Sequence, residues 1–270
     1  MRLKRADVLA IARQKTMISL LKRKILQRLL PRDFYFRKQG YCPCCQRPTD
    51  FISYDPWLRD NFLCVKCKSI PRNRALITVL EKHYPNWRCL DIHESSPSGG
   101  GASARFRSDC RGYVPTQFYP QHPAGKMING YRNENLEAQT FDDESFDIVI
   151  TQDVFEHIYD PESAFREIAR TLRPGGAHVF GVPLVNKFMP SEVWAVREND
   201  GSPRFLHEEE FHGNPVDSQG SPVTMHWGYD IVDYIKACTG HDSQIEYTDN
   251  LELGIRAEFI EVVVTRKPAV

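Results

Sequence analysis

From residue 72 onward the chain alternates amphipathic helical stretches with short apolar runs. "RNRALITVLEKHY" has helical spacing and "WRCLDI" is strand-like. "GYVPTQFY" is a weaker candidate strand, and "SFDIVITQD" is the unbroken apolar run of a strand buried on both faces. "DPESAFREIARTLR" predicts a helix entered at Asp160, with Pro161 at its first position. Arg173-Pro174-Gly175-Gly176 reads as a turn, and "AHVFGVPL" as a second buried strand. "YDIVDYIKAC" is helical, and "EFIEVVVTRK" closes the chain as a strand. Such alternation predicts an α/β sheet with parallel strands and a ligand beyond their carboxyl ends. Ahead of it, Ile18, Leu21, Ile25 and Leu29 recur at helical spacing among Lys15, Lys22, Arg23, Lys24 and Arg28, so residues 2–30 are expected to be helical, with Pro31 as the stop.

Composition adds little beyond the globular class: 270 residues, 41% apolar and 26% charged, with no run long enough to span a membrane. The zero net charge conceals a division. Residues 1–88 carry 20 Lys/Arg against 6 Asp/Glu, and residues 89–270 carry 15 against 29. A basic head suits an anionic partner, RNA or an anionic membrane surface, or attraction to the acidic body. The basic N-terminus has no uninterrupted apolar h-region or small-residue cleavage site, so no signal peptide is expected. A cytoplasmic protein is expected, with a peripheral place at the inner membrane surface left open by the basic helix.

Eight cysteines without a secretion signal point to metal binding or free thiols and away from a disulfide framework. Cys42 and Cys45 form one C-x2-C pair and Cys64 and Cys67 another, with 18 residues between them. Two such turns supply the four soft ligands of a tetrahedral, structural Zn2+ site. Cys44 is a spare thiol that could replace a neighbour. Cys89, Cys110 and Cys238 are isolated and expected to be buried as small apolar residues.

The stretch "FDDESFDIVITQDVFEHIYDPESAFREIARTLRPGGAHVFGVP" resembles the second half of class I S-adenosylmethionine (SAM)-dependent methyltransferases of the type 11-like kind. The resemblance rests on Phe146-Asp147, Ile148 to Ile150, Glu156-His157, Asp160-Pro161 and Leu172 to Gly176. It is close over about 40 residues and weaker over residues 87–265. It implies a Rossmann-like sheet of seven strands with the last antiparallel. "CKSIPRNRAL" after the cysteines resembles a subgroup pairing a four-Cys ribbon with such a body, in which a His-containing sequence can replace the glycine-rich loop. Three parts are expected: a basic helix at 1–33, the ribbon and following helix at 34–82, and the methyltransferase domain at 83–270.

By position, the resemblance implies that Asp91 lies beside the SAM amino group and that His93, Glu94, Ser95 and Ser96 wrap its methionine part. Glu94 takes the amino group if the strand register favours it over Asp91. Asn135, Leu136 and Glu137 stand near the adenine, and Thr151, Gln152 and Asp153 under the sulfonium. Two features depart from the family pattern. The usual glycines are missing, and no acid ends the second strand, where Thr116 and Gln117 offer only neutral groups. Ser95, Ser96 and a helix entered at Pro97 would cradle the carboxylate instead.

Methyl transfer is an in-line displacement that needs alignment and desolvation, with a general base only for a weakly acidic acceptor. Candidate bases are His212, His157 and His226. His212, in the polar loop "EEEFHGNPV", is preferred, His157 is also compatible with a helix-start role, and His207 and His241 are expected at the surface. A small-molecule or sugar/glycan acceptor fits residues 134–162, with ten Asp/Glu and no Lys/Arg, because such a wall repels a phosphate backbone. A zinc-ribbon RNA methyltransferase and a non-catalytic adaptor of the same fold are the alternatives.

Overall fold

The computed structural model describes residues 34–214 and 220–269. The basic helix expected at 1–33, with its RNA or membrane contact, lies outside the described residues. No described helix is long and apolar enough to cross a membrane.

The first described unit is an antiparallel three-stranded sheet of β1 (Phe36–Cys42), β2 (Arg47–Ser53) and β3 (Leu63–Cys64), with the short helix α1 (Leu58–Asn61) between β2 and β3. Its two C-x2-C turns close alike. Gln46 N donates to Cys42 O and Lys68 N to Cys64 O, and Gln46 and Lys68 both take positive φ just past the second cysteine. Helix α2 (Pro71–His83) follows, with Pro71 at its first position, where no N–H is needed.

The body continues through β4 (Asp91–Ser95), α3 (Gly101–Asp109), β5 (Gly112–Gln117), β6 (Met127–Ile128), β7 (Tyr131–Asn133), β8 (Phe146–Gln152), α4 (Pro161–Thr171) and β9 (Leu172–Gly181). Three small antiparallel pairs come next, formed among β10 (Glu192–Val193), β11 (Ala195–Arg197), β12 (Pro203–Phe205), β13 (Phe211–His212), β14 (Ser221–Pro222) and β15 (Met225–His226). Helix α5 (Ile231–Thr239), β16 (Asp242–Glu246) and β17 (Val262–Arg266) complete the chain.

The main sheet runs β16-β17-β9-β8-β4-β5-β7-β6. The five strands from β9 to β7 are parallel, and β17 is antiparallel to both its neighbours. This is the expected Rossmann-like arrangement with an antiparallel last strand. It has eight strands where seven were expected, because the β6–β7 hairpin adds an edge. The Arg173–Gly176 turn is absorbed into β9 as a bulge: Phe146 pairs Leu172, then Ile148 pairs Ala177.

Each face of the sheet has its own core. On one side α2, α3 and the ribbon pack together, and Phe51, Phe62, Leu76, Leu80, Ile92, Ile148 and Val264 form a single buried cluster. On the other, α4 and α5 bring Phe165, Ile168, Ile231 and Ile235 against Val149, Phe180 and Val263. Phe155 and Phe165 stack at 4.1 Å in that second core. Each such side chain contributes about 1.5–3 kcal/mol when removed from water. Cys110 is buried and Cys238 half-buried, but Cys89 is exposed, contrary to expectation. It sits in the short turn Trp87–Cys89, where Trp87 takes the interior position.

Candidate functional site

The chain runs from β4 outward to β5 and β7, then returns to β8 and continues outward to β9, so the sheet switches direction between β4 and β8. A cavity of about 1340 Å³ opens beyond the carboxyl ends there, where open α/β sheets bind ligands. Its β4 wall is Glu94, Ser95 and Ser96. Ser96 has φ +55°, so the chain turns sharply without a glycine at that point. The glycines come later. Gly99 and Gly100 lead into α3, and Gly101 opens it at φ +58°, where a Cβ would strike the Asn73 side chain. The helix therefore enters at Gly101, not at Pro97.

Glu94 is 2% exposed, yet lines the cavity. Ser103 Oγ donates to its Oε1 at 2.7 Å and Tyr113 Oη to its Oε2 at 2.5 Å. Burial pushes its pKa up to about 7, against the pull of those two hydrogen bonds.

Three expected cofactor residues lie elsewhere. Asp91 begins β4, at the end of the strand away from the cavity, and pairs with Arg173 at 2.9 Å beside Asp147. Glu94, three residues on, holds the strand's inner end. His93 is fully buried, paired with Thr116 Oγ1 at 2.9 Å and packed on Phe141 and Phe146. Thr151 is buried against His178 Nε2 at 3.1 Å. Alternation along β4 and β8 turns His93 and Thr151 into the core. Thr116 is likewise turned inward, whereas Gln117 lines the cavity.

The remaining expected residues, Ser95, Ser96, Asn135, Leu136, Glu137, Gln152, Asp153, His157 and His212, all line it. Glu137 is ion-paired with Arg197 at 2.8 Å. Asp153, at φ +51°, is held by Arg59 at 2.7 Å and Arg72 at 2.6 Å. Gln152 accepts from Asn73 Nδ2 at 2.9 Å and donates to Arg72 O at 3.1 Å. The ribbon side thus builds one wall with Arg59, Arg72 and Asn73, none of which was a sequence candidate. Arg72 and Asn73 belong to the "PRNR" that follows the cysteines, and Arg59 carries no sequence signal of its own.

Further out in the same cavity, Glu156 is 2% exposed and neither carboxylate oxygen has a hydrogen-bond partner among the described residues. Burial, then the charge of Asp153, raises its pKa to about 8. His157 Nε2 lies 3.9 Å and His212 Nδ1 4.0 Å from Glu156 Oε1. The opposite ring nitrogens are anchored: His157 Nδ1 to Pro222 O at 2.8 Å, and His212 Nε2 to Glu210 at 3.2 Å. Glu210 also holds His226 Nε2 at 2.9 Å, and His226 stacks on Trp194. His207 is exposed, as expected, and there it stacks on Trp194 and lies 3.1 Å from Glu192.

In the ribbon, Cys42, Cys45, Cys64 and Cys67 bring their sulfurs within 4.8 Å of one another, at 3.7 Å for Cys42–Cys67 and 3.9 Å for Cys45–Cys64. A tetrahedron with zinc–sulfur bonds of about 2.3 Å has edges of about 3.8 Å, so the residues fit the ion. Cys44 is buried outside the group. Arg74 is fully buried beside it, donating to Phe62 O, Ser69 O and Gly254 O, with no carboxylate partner among the described residues. Burial lowers its pKa to about 10, against the charge of the cysteine thiols.

Residues 116–180 match a family described as "Methyltransferase domain". The matched segment runs from the end of β5 through β9 of the Rossmann-like sheet described above. Over 119 residues it is 29% identical to "Ubiquinone biosynthesis O-methyltransferase" of Sinorhizobium fredii, covering 40% of this chain and 47% of that protein. The chain thus spans about half the length of that curated relative. Among solved structures it is similar to an S-adenosylmethionine-dependent methyltransferase from Mesorhizobium loti, with 15% identity, a TM-score of 0.47, and 71% of this chain and 97% of that one covered. A SAM-dependent methyltransferase from Methanosarcina mazei gives 15% identity, a TM-score of 0.41, and coverage of 70% and 97%.

Proposed function

We propose that the protein transfers a methyl group from SAM to a small-molecule or sugar acceptor. The observation that carries this reading is Glu94, a buried carboxylate facing a large cavity at the switch point, beside Ser95, Ser96 and the start of α3. A carboxylate there suits the amino group of SAM, and the serines and the helix start suit its carboxylate. Asn135 and Leu136 supply a polar and an apolar wall for the base and sugar. At about 1340 Å³ the cavity exceeds the usual range for one small ligand, about 300–1,000 Å³, leaving room for an acceptor beside the donor. SAM supplies a methyl carbon already activated by its sulfonium, so the chain's tasks are to align the two ligands and to exclude water.

Seven Asp/Glu residues line the cavity against Arg59, Arg72 and Arg197, and this acidic excess favours an acceptor without a phosphate backbone. The name of the Sinorhizobium relative supports an oxygen acceptor. Zn2+ held by Cys42, Cys45, Cys64 and Cys67 is structural in this reading, because all four positions are filled by protein. Calorimetric titration of the purified protein with SAM tests the donor site. Saturable binding is expected, and none at millimolar SAM would overturn the reading. Zinc content near one per chain is expected from the same sample.

A further inference from the structure

We propose that Glu156, His157 and His212 form a second metal site, separate from the four cysteines, which holds a divalent cation at the acceptor end of the cavity. Two imidazole nitrogens and one carboxylate oxygen are the ligand set of a first-row divalent ion such as Mn2+, Fe2+, Co2+ or Zn2+ and suit Mg2+ or Ca2+ less well. The three ligand atoms lie within 4.8 Å of one another. Bonds of about 2.0–2.2 Å require them about 3.0–3.5 Å apart. The 3.9 and 4.0 Å separations from Glu156 therefore need a contraction of at most about an ångström, within reach of side-chain rotation.

Two observations point to a cation rather than to a general base alone. The first is Glu156. A carboxylate at 2% exposure with both oxygens unpartnered among the described residues is a costly arrangement unless something positive or protic meets it. Arg59, the nearby cation, is committed to Asp153 at 2.7 Å and to Phe259 O at 3.0 Å. The second is the way the histidines are held. Each has the ring nitrogen remote from Glu156 bonded to an acceptor, Pro222 O for His157 and the Glu210 carboxylate for His212. Those bonds place the N–H outward and leave the inner nitrogen as a lone pair, the outer-shell pattern of metal-binding histidines. Glu210 is itself fixed by His226.

Three protein ligands leave coordination positions open, and all three residues line the cavity. The acceptor class that fits is a molecule with two neighbouring oxygens, at least one a hydroxyl, able to bind the ion through both. The cation acidifies the hydroxyl. Its proton leaves to water, its oxygen bonds to the methyl carbon, and the carbon–sulfur bond breaks so that the sulfonium becomes a neutral thioether. This acceptor assignment rests on the methyltransferase reading; the metal site does not.

The test is titration with Mn2+ of protein whose cysteines are filled with zinc and whose loosely held ions have been dialysed away, followed by the electron paramagnetic resonance of free Mn2+. Wild type should bind one Mn2+ per chain. Glu156→Gln, which keeps shape and removes charge, and His212→Ala, at a half-exposed position, should each weaken it at least about tenfold, with zinc still one per chain. No Mn2+ uptake by wild type at millimolar concentration, or equal uptake by both variants, overturns the site. A parallel SAM titration separates the two ideas: a wild type that takes up Mn2+ but not SAM retains the metal site and loses the methyltransferase reading.

Discussion

Replacing Glu94 by Gln should weaken SAM binding and remove the pH dependence expected of the wild type. Glu94 sits at the inner end of β4 with Ser103 and Tyr113 donating to its two oxygens, and the glutamine keeps the shape of the group while discarding its charge. A hydrogen bond to a charged group is worth about 1.5–3 kcal/mol, so the loss corresponds to SAM binding ~10- to 150-fold weaker. Burial raises the folded pKa from 4.5 to about 7. An ammonium ligand needs the ionised carboxylate, so affinity should rise about fivefold between pH 6 and 7, below the titration of an α-amino group near 8. Stability moves the opposite way. A carboxyl with a raised folded pKa binds its proton more tightly when folded. Its contribution is therefore full below pH 4.5 and lost as pH rises to about 7, up to on the order of 3 kcal/mol for this buried group. The Glu94→Gln substitution should flatten both curves. Calorimetry with SAM at pH 6 and 7, and urea melts from pH 4.5 to 7.5, read the two effects. Equal SAM affinity in wild type and Glu94→Gln, or weakening by Asp91→Asn instead, would refute the assignment. Asp91→Asn should cost no more than about 1 kcal/mol, since its pair with Arg173 is exposed.

Chelation of the ribbon metal should unfold more than the ribbon. Phe51 and Phe62 share a core with Ile92 and Ile148, so the near-ultraviolet circular dichroism of the whole protein should fall with loss of zinc. Gly101→Ala should both destabilise the protein, by about 1–3 kcal/mol, and weaken SAM binding, since it forces a left-handed residue with a Cβ against Asn73. Equal urea midpoints for this variant and wild type would contradict the close approach. Phe165→Ala, which empties the stack on Phe155, should cost about 3–5 kcal/mol in urea denaturation and leave the four-Cys zinc in place.

Much of the sheet was legible because the signals were local. The apolar run at Ile148–Ile150 and the Asp160-Pro161 cap announce β8 and α4 without reference to the rest of the chain, and Ser163 N does bond Asp160 at 3.0 Å. The end of β4 was not legible. A strand covered on both faces lacks the polar–apolar alternation that marks register, so "LDIHES" offers two acids and no way to rank them. β16, with the sequence DSQIE, is too polar to stand out and is held by pairing with β17. His157, His212 and His226 were legible one by one as candidate bases, but the gathering of His157 and His212 around Glu156 was not, for another reason. Glu156 and His212 approach each other across 56 residues of chain, and Glu210 joins His212 to His226, through loops whose order depends on bonds such as Thr224 N to Glu156 O. Arg59 and Arg72 reach Asp153 across comparable gaps. Non-local ion pairs leave no periodicity to read.

Those two arginines make the four-Cys unit an unsuitable place to cut the protein. A fragment begun at residue 83, the start of the third part expected from the sequence, would leave Asp153 without its cations and Gln152 without its amide partner. It would also expose the face of Ile92 and Ile148 to water. The same contacts open a route for divergence. Substitutions in α1 or at the start of α2, remote in sequence from the strands of the main sheet, would reshape the cavity wall directly, so ligand preference would change through the four-Cys head while the sheet and its loops stayed as they are.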